Sequence, residues 1–181
     1  MGGVKEFTET ERESLYELTS IGASHASSAF AMLLGRAMAP SAPMFHEADE
    51  YRADESWTTG VIFRADGELS GLVAILLSTA SREVVTERLV RWEEVGDSPQ
   101  TAESALRELG NIVASHTMSA IADKLGGRIL LSVPLLVMED ADSEFASMIR
   151  ESGAERCVEC ELTDSAREIN VRLVFVPGSK S

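Results

Sequence analysis

The chain has 181 residues, 44% of them apolar, with a formal charge of −14 at pH 7 and a pI near 4.6. That length carries one domain with a proper core, or two small halves sharing one. The acidity argues against nucleic acid and against an anionic membrane surface as partners, because their phosphates would repel it.

Residues 1–15 show no secretory signal pattern. No apolar run reaches the roughly 20 residues that a transmembrane helix needs, so a cytoplasmic protein is expected. Only three residues are Lys (Lys5, Lys124, Lys180), against 13 Arg and 30 acidic side chains. This imbalance looks like the solvated surface of proteins from a salt-loaded cytoplasm, where screening suppresses self-repulsion; an ordinary acidic bacterial protein is the alternative.

In chain order, Glu9 to Leu34 reads as a long helix, opened by a capping box of Thr8 and Glu11 and closed by Gly35. Arg36 to Phe45 contains a strand that Pro40 and Pro43 confine to an edge. His46 to Glu55 reads as a charged loop. Trp57 to Arg64 and Leu69 to Leu77 read as a hairpin turning at Asp66-Gly67, and the apolar second strand should be central in its sheet. Ser81 to Val95 reads as a helix with Val84, Val85, Leu89 and Trp92 inward, followed by a turn at Gly96 to Pro99.

A second long helix runs from about Thr101 to Leu125 and ends at Gly126-Gly127. A strand, Arg128 to Met138, follows and is interrupted by Pro134. The acidic segment Glu139 to Glu151 holds a short helix around Phe145 and Ile149. Cys157–Leu162 and Glu168–Val176 form a second hairpin. Cys157 and Cys160 make a lone CxxC within a strand, where residues three apart face opposite ways. With no second Cys or His pair nearby to complete a zinc site, packing is the expected role.

The long helices belong to a repeat. Sliding Glu17–Pro43 onto Glu108–Pro134, an offset of 91, gives 13 identities in 27 positions without a gap. Self-similarity of this kind points to a duplicated unit. The expected architecture is α/β (α+β): two pseudo-symmetric helix–three-strand repeats, about 8–96 and about 99–178, in one domain. They share a mostly antiparallel six-stranded sheet, and a pseudo-two-fold relates the two long helices. His25 and His116 occupy equivalent positions roughly 100° round from the polar stripe of each helix. They are expected to be buried or half-buried packing residues, with no metal site.

At ~100° per residue, Ser104, Glu108, Asn111, Ser115 and Ser119 fall on one stripe of the second helix, while Leu106, Leu109, Ile112, Val113 and Ala120 fall opposite and face a core. A carboxylate and a carboxamide one turn apart on a wet face are a small chemical tool. Alone, such a stripe is an ordinary solvated face. In the first copy Glu17 is kept, but Ser20 stands where the second copy has Asn111.

The spacing Ser104, three residues, Glu108, two residues, Asn111, then 22 residues and Pro134 resembles the signature of the CheC/CheX/FliY phosphatases, and nearly the whole chain looks like the CheC branch. The resemblance implies a CheC-like duplication and removal of the phosphoryl group from the aspartate of a CheY-type response regulator in chemotaxis. It makes Glu108 and Asn111 the catalytic pair, with Ser104 and Ser115 as partner-contacting residues. Glu17 and Ser20 become a degenerate first site, and Pro43 and Pro134 structural members of the motif. No cofactor of its own is expected, the Mg²⁺ residing in the regulator. CheD, a deamidase, is a possible further partner, and a non-catalytic adaptor for CheD or the phosphorylated regulator is the alternative.

Overall fold

The computed structural model describes residues 8–93 and 99–178. The expected turn at Gly96–Ser98 and the Trp92 side chain lie outside the described residues. Helix α1 (Glu9–Leu34) opens on the anticipated box: Thr8 Oγ1 accepts from Glu11 N at 3.2 Å, and Thr8 N donates to Glu11 Oε2 at 3.1 Å. It ends where Gly35 turns left-handed at φ 66° and donates to Ala31 O, a conformation glycine adopts without a Cβ penalty.

Two short strands follow, β1 (Met38–Pro40) and β2 (Met44–Glu47), then β3 (Thr59–Gly67), β4 (Gly71–Leu77) and helix α2 (Thr79–Glu93). The second half repeats the order with α3 (Pro99–Leu125), β5 (Ile129–Leu131) and β6 (Leu135–Val137). Helix α4 (Ala141–Ser152) is inserted before β7 (Arg156–Asp164) and β8 (Asn170–Pro177).

All pairings are antiparallel, and the sheet runs β1-β7-β8-β4-β3-β5, with β2 continuing β1 along β7 and β6 continuing β5 along β3. Among the described residues, counting each broken edge as one strand gives the expected six. The two halves exchange those edges: the first copy's β1 and β2 pair with β7 of the second, and the second copy's β5 and β6 pair with β3 of the first. The pseudo-dyad therefore passes between β4 and β8, the strands that join the two hairpins.

Each broken edge has the same chemistry. Proline cannot donate to a ladder, and Pro43 and Pro134 both sit in the gap between two short strands. The serine two residues earlier bridges the gap. Ser41 N donates to Glu161 O at 2.7 Å and its hydroxyl accepts from Glu161 N at 3.0 Å. Ser132, 91 residues later, does the same with Arg64, at 2.8 and 2.9 Å.

Side chains alternate across the sheet. Val73, Ile75 and Leu77 of β4 join Val61, Phe63 and Ala65 of β3 beneath α1, α2 and α3. Leu72, Ala74 and Leu76 face the other way, onto Phe145 and Ile149 of α4 and onto Tyr51 and Trp57. β4 is buried nearly end to end, as its unbroken apolar run implies. Cys157 and Cys160 are both buried and free, one in each core, as their spacing required. Burial pushes the Cys157 thiol up to about 12.

Three expectations need correction. The first hairpin turns at Glu68–Ser70 rather than at Asp66-Gly67, because β5 extends the ladder through Asp66↔Leu130 and Gly67↔Ile129. That long-range pairing overrides the local turn signal, and Gly67 instead serves close approach: a Cβ there would lie 2.2 Å from Arg128 O.

The stretch His46–Glu55 is not simply a charged loop. His46 and Glu47 belong to β2, a 3₁₀ turn covers Ala48–Glu50, and Tyr51 is buried, donating its hydroxyl to the buried Asp142 of α4. Asp142 also accepts from Asp54 N at 2.7 Å, and its burial, outweighing those two donors, raises its carboxyl above the usual range.

Finally, His25 and His116 are exposed. The buried face of α3 rotates along the helix, from Leu106, Leu109 and Val113 to Ala114, Met118 and Ile121, and this leaves His116 in solvent. Ile112 and Ala120, placed in the core by the stripe, are only half-buried for the same reason.

Candidate functional site

Helix α3 is anchored by Leu106, Leu109 and Val113, each at most 2% exposed, and by Gly110, whose missing side chain lets the helix rest directly on Val61 of β3. These contacts fix the rotation of the helix about its axis. Ser104, Glu108, Asn111 and Ser115 consequently all lie on its exposed side. Glu108 and Asn111 are about 4.5 Å apart along the axis, at a rise of about 1.5 Å per residue. Pro134 is half-buried between β5 and β6, a place that suits shaping the edge rather than touching a partner.

α1 packs antiparallel to α3, so the two Glu positions lie at opposite ends of the helix pair, and the structure treats them differently. Glu17 of α1 is held by Lys124 of α3, Oε1 to Nζ 3.0 Å. The residue 91 before Lys124 is Leu33, since 124 − 91 = 33, and it lies beside Glu108. Among the described residues Glu108 has no ion pair or hydrogen-bond partner. The half-buried Ser20, one turn from Glu17, offers only a short hydroxyl in the place of a carboxamide. The first-copy acid is thus neutralised by its own protein, while the second-copy acid faces outward beside an unencumbered amide.

Glu108 also borders a groove of ≈ 260 Å³ walled by Met32 and Leu33 of α1, Leu89 of α2, and Leu109 and Ile112 of α3. Sequence reasoning on the motif missed these α1 and α2 residues. The signal was available only as a mismatch between the copies, Met32-Leu33 aligning with Asp123-Lys124. Among the described residues no cluster of three or more His, Cys, Asp or Glu side chains could hold a metal ion. Among the described residues no helix is long and apolar enough to cross a membrane.

The duplicated, edge-exchanged α/β fold thus carries an exposed Glu/Asn pair on its second long helix. Residues 102–138, which hold the whole motif, match the model of the CheC-like family. A curated relative, the CheY-P phosphatase CheC of Bacillus subtilis, is 29% identical over 143 residues, covering 73% of this chain and 66% of that protein, a little under two thirds of its length. Among solved structures, the chemotaxis protein CheX of Desulfovibrio desulfuricans superposes with a TM-score of 0.70 at 11% identity, over 89% of this chain and 99% of that one. The CheX of Borrelia burgdorferi, solved in a complex with CheY, BeF₃ and Mg²⁺, superposes with a TM-score of 0.64 at 16% identity, over 91% and 99%. At those identities the structural likeness establishes the fold.

Proposed function

We infer that this chain hydrolyses the aspartyl phosphate of a CheY-type response regulator, using the second copy alone. The observation that carries this reading is the exposed Glu108 and Asn111 on one face of α3, with Glu108 unpaired among the described residues. The named activity of the Bacillus relative and the CheY-bound CheX of similar fold support it.

An aspartyl phosphate is an activated acyl phosphate, so little is asked of the enzyme beyond an in-line water. The Asn111 carboxamide, neutral at physiological pH, can accept from and donate to that water, holding it opposite the leaving oxygen. The water oxygen bonds to phosphorus, the bond from phosphorus to the aspartyl oxygen breaks, and the carboxylate and inorganic phosphate separate. Glu108 engages a cation of the regulator, docking and aligning it rather than moving a proton. Ser104 and Ser115 extend the contact stripe. The regulator brings its own Mg²⁺, which neutralises charge on the phosphoryl oxygens. Ser20 is too short to place a water in the same way, and Glu17 is already occupied by Lys124, so the first site is inert.

The direct test is decay of a phosphorylated CheY-type regulator, followed as phosphate release, with and without this protein. The reading requires acceleration. The altered first copy favours a second reading, a non-catalytic adaptor for CheD or the phosphorylated regulator. Stable capture of either one with unaccelerated decay would select it.

A further inference from the structure

Only one wall of the groove beside Glu108 comes from the motif-bearing helix. Met32 on α1 is 70% exposed, an unbranched thioether standing in water at the rim. Below it, Leu33 and Leu89 meet Leu109 and Ile112, so the interior is apolar while its border carries the Glu108 carboxylate. A large exposed methionine over an apolar hollow is a surface that gains from being covered.

The other end of the helix pair carries different side chains at the equivalent surface positions. The positions equivalent to Met32 and Leu33 are Asp123 and Lys124 (32 + 91 and 33 + 91). There the surface is charged and carries the exposed Lys124–Glu17 ion pair. α2, which supplies Leu89, has no counterpart after the second hairpin among the described residues. It is tied to the end of α1 by Arg88, whose Nη1 donates to Leu34 O at 2.6 Å. Among the described residues, the Met32–Leu33 rim and the α2 wall of this groove therefore belong to the Glu108/Asn111 end.

We propose that this groove is the specificity pocket of the Glu108/Asn111 site: it takes an apolar side chain that the response regulator presents beside its phosphorylated aspartate, with Met32 closing over it. This rests on the reading given under Proposed function. The occupant is a protein surface with a cation next to an apolar side chain, because the pocket joins an unpaired carboxylate to an apolar hollow. A second copy of a chain with net charge −14 or an anionic lipid would set like charges together at that rim. Met32 is then a specificity-determining residue contributed by the first copy to the active site of the second.

The experiment uses the intact chain and its organism's CheY-type regulator, phosphorylated for turnover and loaded with BeF₃⁻ and Mg²⁺ for binding. Met32 is exposed, so its substitution leaves the fold intact. Losing roughly half of a buried methionine side chain should raise KM about 3- to 10-fold for Met32→Ala, with kcat retained. Met32→Asp should raise KM further, and Met32→Leu should stay within about twofold of the parent. Binding of the BeF₃⁻-loaded regulator should weaken in the same order.

An unchanged KM in both Met32→Ala and Met32→Asp, with Asn111→Ala still abolishing turnover, would overturn the pocket and leave the phosphatase reading standing. A lowered kcat at unchanged KM would overturn it as well. If the parent protein accelerates nothing, the phosphatase reading fails. The BeF₃⁻ titration then decides the pocket alone, since weakening by Met32→Asp upholds it and equal affinity removes it.

Discussion

Two glycines on the packed faces of the long helices should respond to alanine very differently. At either position alanine gains about 1 kcal/mol of helix propensity. At Gly110 the added Cβ would lie 2.6, 2.8 and 2.9 Å from Cγ1, Cβ and Cγ2 of Val61. All three atoms belong to one β-branched side chain in a buried strand, whose backbone is paired on both sides. It cannot swing away, so α3 must lift. Overpacking of this kind costs about 1–3 kcal/mol, and with every contact below 3.0 Å the upper part of that range applies. The net loss is about 1–2 kcal/mol, a fall in Tm of about 2–8 °C for a domain of this size.

At Gly22 the nearest atoms are Ile121 Cδ1 and Thr117 Cγ2, both at 3.0 Å, beside an apolar cavity of ≈ 50 Å³ into which the isoleucine end can move. Gly22→Ala should therefore lose no more than about 0.5 kcal/mol, or gain slightly. Urea and thermal unfolding of both variants measure the contrast. A Gly110→Ala protein as stable as the parent would mean that α3 does not rest on β3 at this distance, and the rotation of the helix that exposes Asn111 would lose its physical basis.

Other consequences are quicker to check. Cys157, pushed up to about 12 by burial, should resist thiol reagents at pH 8 in the folded protein and label fully once unfolded, whereas labelling at the rate of a free thiol would contradict its burial. Burial alone would raise the Asp164 carboxyl. Donation from Ile169 N, Arg36 and Glu168 N outweighs this and holds it below the usual range. The stability gap between parent and Asp164→Asn should thus be full above about pH 4 and close as pH falls through the depressed value. A gap that widens with acid would reverse the sign. Lys124→Ala removes an exposed ion pair and should cost about 0–1 kcal/mol, less in salt, without changing turnover at the Glu108 site.

Much of this was legible in the chain because it is local or periodic. The Thr8/Glu11 box, the left-handed Gly35, the apolar run of β4 and the opposed cysteines depend on residues within a turn or a pleat of one another. The Glu108–Asn111 stripe is equally local, and the repeat made its spacing notable. What was not legible came from pairing at a distance. The exchange of edges between halves moved the first hairpin's turn past Asp66-Gly67, since β5 lies more than 60 residues further on. Tyr51 is buried because Asp142 of an inserted helix accepts its hydroxyl, a partner that nothing in HEADEYRADE announces. The two histidines were expected to be buried or half-buried but are exposed, His116 because the buried face of α3 rotates along its length. The neutralisation of Glu17 and the openness of Glu108 required knowing which residue of the opposite helix stood beside each.

The most direct test of the account is the rate at which a phosphorylated CheY-type regulator loses its phosphoryl group with saturating Asn111→Ala protein, beside binding of the same variant to the BeF₃⁻-loaded regulator. If the amide positions the attacking water, the acceleration should fall by about 100-fold or more while affinity stays near that of the parent. Undiminished turnover in that variant would show that the water is placed by some other group.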